Sequence, residues 1–284
     1  MPSIQIQTYT LSEGIRLSFT DSGAPPNAAN YTTVFFLHGG MFNAYQFHKI
    51  HSHAHAENLR TVLLHRRDYA GSTAYSPKEL DELEKGSVLF WERLSAQMAE
   101  FLGIFIARER IPKLTQRKLP FSQTVQLMHA SSEPINVRGN GGIAIFGWSA
   151  GCSTVLSFLG ASHNPMISEE SHKTLKQYVS HCILYDPTYL SLGYKLPSDN
   201  RNYIPWADPT IALEDIPRVV SEWVTSYYDH PCYDPLSGSL PVTATLHDLD
   251  GIRPKSDQVS ISSWTDEELA KGIEGLPARN EMLA

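Results

Sequence analysis

One pentapeptide constrains this chain more than any other feature. Gly147-Trp148-Ser149-Ala150-Gly151 follows the short apolar run 142–146 (GIAIF) directly and opens an apolar stretch, 150–159, of helical character. The spacing has a steric reason. A serine on a sharp strand-to-helix turn has a strained backbone, and the positions two residues to either side must be small to avoid clashes. Such a turn lifts the serine oxygen clear of the strand's carboxyl end and sets it beside a helix N-terminus, where partial positive charge favours a developing anion.

The surroundings of this turn predict an alternating strand–helix chain. Residues 31–37 (YTTVFFL), 60–64 (RTVLL) and 178–185 (YVSHCILY) are short and apolar on both faces, as buried parallel strands are. Residues 2–9 and 14–20 read as two earlier strands forming a hairpin-like unit. Helices are predicted at 44–59, 80–108, 150–159, 215–228 and 265–274, and one further strand at 242–246. Residues 111–141 read as a long connection with a short strand at 124–128, unusual inside a compact domain. Together these predict an α/β fold with right-handed crossovers. Two regions are expected, a core over 1–189 and a proline- and aromatic-rich, lid-like and C-terminal region over 190–284.

Two further motifs lie at the ends of predicted strands. Phe35-Phe36-Leu37-His38-Gly39-Gly40-Met41 ends one, and His65-Arg66-Arg67-Asp68-Tyr69-Ala70-Gly71-Ser72 follows the next. With Gly147–Gly151 they resemble, in order and spacing, the His-Gly-Gly loop, the Arg-Gly-x-Gly-x-Ser loop and the nucleophile turn of the α/β-hydrolase superfamily. The resemblance is strongest to its fungal members with a "HRRDYxGST … GWSxG … LYDP" pattern. It runs through Leu184-Tyr185-Asp186-Pro187 and the lid-like Trp223–Pro231, and more weakly to about residue 280. Asp68 and Ala70 stand where that superfamily has glycines.

The resemblance implies an α/β-hydrolase fold with a mostly parallel sheet and a helical lid. It implies Ser149 as nucleophile, with an oxyanion hole of backbone N–H groups from Ala150 and from Gly40 or Met41. His38 is expected to support its loop, and the loop after residue 65 to act as a structural turn or pocket wall. Asp186 is the candidate acid, with a turn aspartate before Pro187 as the competing role. His247 is the candidate base and His230 an alternative. Beyond the strand at 178–185 the chain departs from the family, because no apolar strand leads to a late histidine. The C-terminal part of the core is therefore expected to be incomplete, which would leave that strand as a sheet edge open to a second copy of the chain.

The expected chemistry is attack on an ester, thioester or lactone-type carbonyl of a small apolar or aromatic substrate. Epoxide hydrolase or dehalogenase chemistry is disfavoured, since those enzymes place an aspartate where Ser149 stands. The alternative is an inactive or truncated homologue that binds a small molecule. Trp206, Trp223, Tyr227 and Tyr228 would line a pocket under the lid or fill the lid's own core.

Composition narrows the partners. A net charge of −7 with scattered basic residues argues against nucleic acid or an anionic membrane. Three cysteines without metal-ligand spacing, and an N-terminus with no basic and apolar leader pattern, point to a reducing cytoplasm. His48, His51, His53 and His55 crowd one stretch but are expected on a solvated helix face, and neither metal nor cofactor is expected.

Overall fold

The computed structural model describes residues 5–115, 141–194, 205, 208–227, 230, 232–234, 236–244 and 258–282. Among the described residues six strands form one sheet: β1 (Gln7–Thr10), β2 (Arg16–Asp21), β3 (Thr32–Leu37), β4 (Leu59–Leu64), β5 (Ile143–Trp148) and β6 (Val179–Tyr185), in the order β1-β2-β4-β3-β5-β6. β1 and β2 make an antiparallel hairpin, and β2 joins β4 antiparallel. The β4–β3, β3–β5 and β5–β6 pairings are all parallel. This is the mostly parallel α/β sheet that the apolar runs predict.

Register brings the three motifs together. Leu37 pairs with both Leu64 and Gly147, so β3, β4 and β5 end at one level of the sheet. The chain segments that follow them therefore emerge side by side at the carboxyl edge, where open α/β sheets hold their ligands.

Eight residues form α1 (Pro77–Glu84), started by a reciprocal capping box between Ser76 and Glu79. Gly86 then turns the chain with φ +62 before α2 (Val88–Glu109), so the single helix predicted over 80–108 is two. Met98, Phe101, Leu102 and Phe105 of α2 recur at helical spacing and are at most 3% exposed. Phe101 and Phe105 pack edge-on against Phe19 and Phe35 of the sheet. Across this core, Arg60 of β4 pairs with Asp21 of β2 and Glu109 of α2, tying strand, hairpin and helix by one guanidinium.

α3 (Gly151–Leu159) and α4 (Glu169–Leu175) connect β5 to β6, and the sequence reading missed α4. Residues 44–57, expected as one helix, are a run of 3-10 and α turns. The strand expected at 242–246 is corrected over its described part: Pro241 opens a turn closed by the Ala244 N–H on its carbonyl (2.8 Å). Residues 245–246, and the short strand expected at 124–128, lie outside the described residues.

Towards the C-terminus come α5 (Ile216–Val224), α6 (Asp266–Gly272) and α7 (Gly275–Met282). They build a second, smaller core in which Val220, Ile261 and Ala278 bury Met41 and Phe42. The C-terminal region thus rests on the loop after β3. Among the described residues no strand follows β6 in the sheet, and Ile183 and Tyr185 on it are 42% and 60% exposed.

Candidate active site

Ser149 lies at the turn between β5 and α3 with φ +52, a left-handed conformation that non-glycine residues rarely adopt. Its N–H donates to the Tyr185 carbonyl (3.1 Å), which ties the turn to the end of β6. The two flanking glycines are sterically required. A Cβ on Gly147 would lie 2.7 Å from the Val155 side chain and 2.8 Å from the Gly151 carbonyl oxygen. A Cβ on Gly151 would lie 2.4 Å from the Leu37 carbonyl oxygen and 2.6 Å from that of His38. α3 begins at once, with Cys152 N–H on the Ser149 carbonyl (2.9 Å) and Ser153 N–H on that of Ala150 (3.1 Å).

The loop after β3 crosses directly over this turn. A Cβ on Gly39 would touch the Ser149 Cβ at 3.0 Å and the Trp148 ring at 3.1 Å. A strained serine between two steric glycines, at the carboxyl end of a central parallel strand and under the loop of the neighbouring strand, settles the architecture. The fold is α/β, with a mostly parallel sheet that carries this serine turn at its carboxyl edge.

Comparison with known proteins adds likenesses of low identity. No protein-family model matches the sequence, and no curated protein matches it. Among solved structures, the chain is similar to an α/β hydrolase from Novosphingobium aromaticivorans (16% identity, TM-score 0.34, 59% of this chain and 42% of that one). It is similar also to an epoxide hydrolase mutant from Vigna radiata (12% identity, TM-score 0.44, 95% and 67%). A third is the esterase RhEst1 from a Rhodococcus species (14% identity, TM-score 0.36, 63% and 44%). The matched region thus spans less than half the length of the Novosphingobium and Rhodococcus chains.

In this chain His38 is fully buried. Its Nε2 accepts the Arg66 N–H (3.1 Å), so the proton sits on Nδ1, which donates to the Gly39 carbonyl (2.8 Å). Burial and the adjacent Arg66 guanidinium hold its pKa well below the ordinary histidine range. A neutral imidazole with both nitrogens engaged supports its loop, as expected.

The loop after β4 is also built as structure. Arg67 is spent on the Thr73 and Ala74 carbonyls, Gln97 and Glu79. Asp68 takes φ +75, the conformation that glycine supplies in the resembled motif, and its carboxylate accepts from Tyr75 N–H (3.0 Å) and Asn280 Nδ2 (2.7 Å).

Among the described residues no histidine is hydrogen-bonded to the Ser149 hydroxyl. His247, Trp206 and Tyr228 lie outside the described residues. Asp186 follows β6 at φ +47, beside Cys152; its exposed carboxyl is desolvated on its protein side, which raises its pKa. The crowded histidines are used locally: His51 bonds Thr20 (2.9 Å) and Thr61 (2.7 Å), His48 the Tyr45 carbonyl (2.8 Å), and His55 that of Gly23 (3.1 Å). Among the described residues no three histidine, cysteine or carboxylate side chains converge as a metal site.

One residue at this site carries no local signal in the sequence. Glu281 of α7 forms a forked ion pair with buried Arg66 and accepts from Tyr69 Oη (3.0 Å). Arg66 in turn donates from Nη2 to the Gly39 carbonyl (3.0 Å).

Proposed function

We propose that this chain is a serine hydrolase that cleaves an ester, thioester or lactone-type carbonyl in a small apolar or aromatic substrate. The observation that carries the proposal is the strained Ser149 turn lying under the Gly39–Gly40 loop. Ser149 Oγ attacks the carbonyl carbon while its proton passes to a base, assigned to His247 with Asp186 as the acid. The tetrahedral oxyanion is received by the Ala150 N–H and one from Gly40 or Met41. Collapse breaks the bond to the leaving alkoxide or thiolate, which takes the proton from the histidine. Water, deprotonated by the same base, then attacks the acyl-serine and releases the acid. A serine at this position supports acyl chemistry, whereas the epoxide hydrolases of the resembled superfamily carry an aspartate there.

We place the enzyme in the reducing cytoplasm, with neither nucleic acid nor membrane as partner. Three cysteines without metal-ligand spacing and a net charge of −7 support this assignment. No described helix is long and apolar enough to cross a membrane.

A second reading, a homologue that binds a small molecule without turning it over, is favoured by one observation: no described histidine contacts the Ser149 hydroxyl. Hydrolysis of short-chain and aromatic p-nitrophenyl esters separates the two. The hydrolase reading expects Ser149→Ala to lower kcat at least ~10³-fold. Equal rates for the folded wild type and the variant would leave the binding protein.

A further inference from the structure

The Gly39 carbonyl oxygen is held by two donors at once, His38 Nδ1 at 2.8 Å and Arg66 Nη2 at 3.0 Å. Two fixed donors on one oxygen set the plane of the peptide to which it belongs. The peptide is trans, so its N–H, that of Gly40, points opposite to the carbonyl, away from the buried guanidinium. Arg66 does not hold this position alone. Both of its terminal nitrogens are gripped by the Glu281 carboxylate, and its guanidinium lies over the Tyr69 ring, 5.0 Å from the ring centre. Tyr69 itself donates to Glu281 at 3.0 Å and stands edge-on to the His38 ring at 4.4 Å.

The neighbouring candidate donor is differently placed. The carbonyl of the Gly40–Met41 peptide accepts the Phe42 N–H of the same loop at 2.9 Å, and the Met41 carbonyl accepts from Glu274 N–H at 2.8 Å. The Met41 N–H thus belongs to a peptide held within its own loop and not by the Arg66–Glu281 pair. Gly40 remains the backbone donor whose direction is set by its carbonyl partner.

We propose that Glu281, acting through Arg66, is a positioning residue: it orients the Gly39–Gly40 peptide and so aims the Gly40 N–H at the oxyanion formed on Ser149. The inference rests on the serine hydrolase reading above. Its physical basis is that an oxyanion donor contributes only when it is aligned beforehand; a misplacement of about 1 Å can cost on the order of 100-fold in rate. A carboxylate on the C-terminal helix thus acts on the chemistry without touching substrate.

The test compares wild type, Glu281→Gln and the charge-free pair Arg66→Met/Glu281→Leu. The pair guards against misfolding, because removing both partners of a buried ion pair is tolerated far better than removing one. The labelling rate of Ser149 by a fluorophosphonate is measured against probe concentration, with Tm recorded for each protein. The inference expects Glu281→Gln to lower the saturating rate roughly 10- to 100-fold with half-saturation little changed. It expects the pair to regain the wild-type Tm and stay slow. A pair that labels at the wild-type rate would overturn it. If wild type itself does not label, the serine hydrolase reading fails, and the Gly40 amide resonance in protein carrying 15N-glycine decides the positioning. A sharp signal in wild type that broadens in Glu281→Gln supports a peptide held by this pair; the same line width in both overturns it.

Discussion

Gly151 and Gly160 stand at the two ends of the same helix in opposite surroundings. A Cβ at Gly151 would lie 2.4 Å from the Leu37 carbonyl oxygen, and β3 has no room to retreat between β4 and β5. Nothing lies within 4 Å of the corresponding position at Gly160. Gly151→Ala should therefore destabilise by about 3 kcal/mol or more, and Gly160→Ala by less than about 1. Urea unfolding of the two variants checks the contrast; equal midpoints would contradict it. Titration supplies a second residue-scale prediction. Burial lowers the pKa of His51 and of His65 from 6.5 to about 4. Both are neutral in the fold, so the unfolded chain takes up protons first as the pH falls below 6.5. Their contribution is fully present above that value and is lost between about 6.5 and 4, at most about 3 kcal/mol for each. Urea midpoints measured from pH 7.5 to 4.5 should fall across that window, and less steeply in His65→Gln. At this scale the roles of Gly147 and Gly151 were legible because a steric rule fixes them within five residues. The pairing of Arg66 with Glu281 was not, because 215 positions separate the partners and Glu281 reads locally as one more surface charge.

Among the elements, β6 carries the clearest consequence. It is the outer strand of the described sheet, its sequence holds neither proline nor lysine, its one register shift lies near its start at Ser180, and it exposes Ile183 and Tyr185. Unpaired backbone groups beside apolar side chains recruit another strand, and a charge placed there discourages it. The chain is therefore predicted to self-associate as concentration rises, and Ile183→Lys to remain monomeric in sedimentation velocity. A wild type that sediments as a monomer throughout would contradict this. The buried strands could be read from the sequence because β3, β4 and β5 are packed on both faces and contain little but apolar and β-branched residues. Helix limits were harder. Gly86 divides 77–109 into two helices with one continuous apolar pattern, and only its φ of +62 reveals the break. α4 was missed because it is short and polar (EESHKTL) and buries one residue, Leu175, leaving no apolar stripe to recognise.

For the molecule as a whole, the decisive arrangement is the convergence of distant segments on one edge of the sheet. The ends of β3, β4 and β5 are brought there by register, and α7 by the second core under Phe42. Asn43 joins the two regions directly, donating to the Lys271 carbonyl and to Glu274, each at 2.7 Å. The α/β class and the position of Ser149 could be read from strand and turn patterns. The seat of the C-terminal helices could not, because it depends on tertiary contacts that leave no periodicity in the sequence. We propose that this assembly makes Ser149 a reactive nucleophile. Intact mass after fluorophosphonate treatment tests it most directly, on protein shown by near-UV circular dichroism to be folded. One probe adduct per chain is expected in wild type and none in Ser149→Ala. A folded wild type that gains no mass would contradict it.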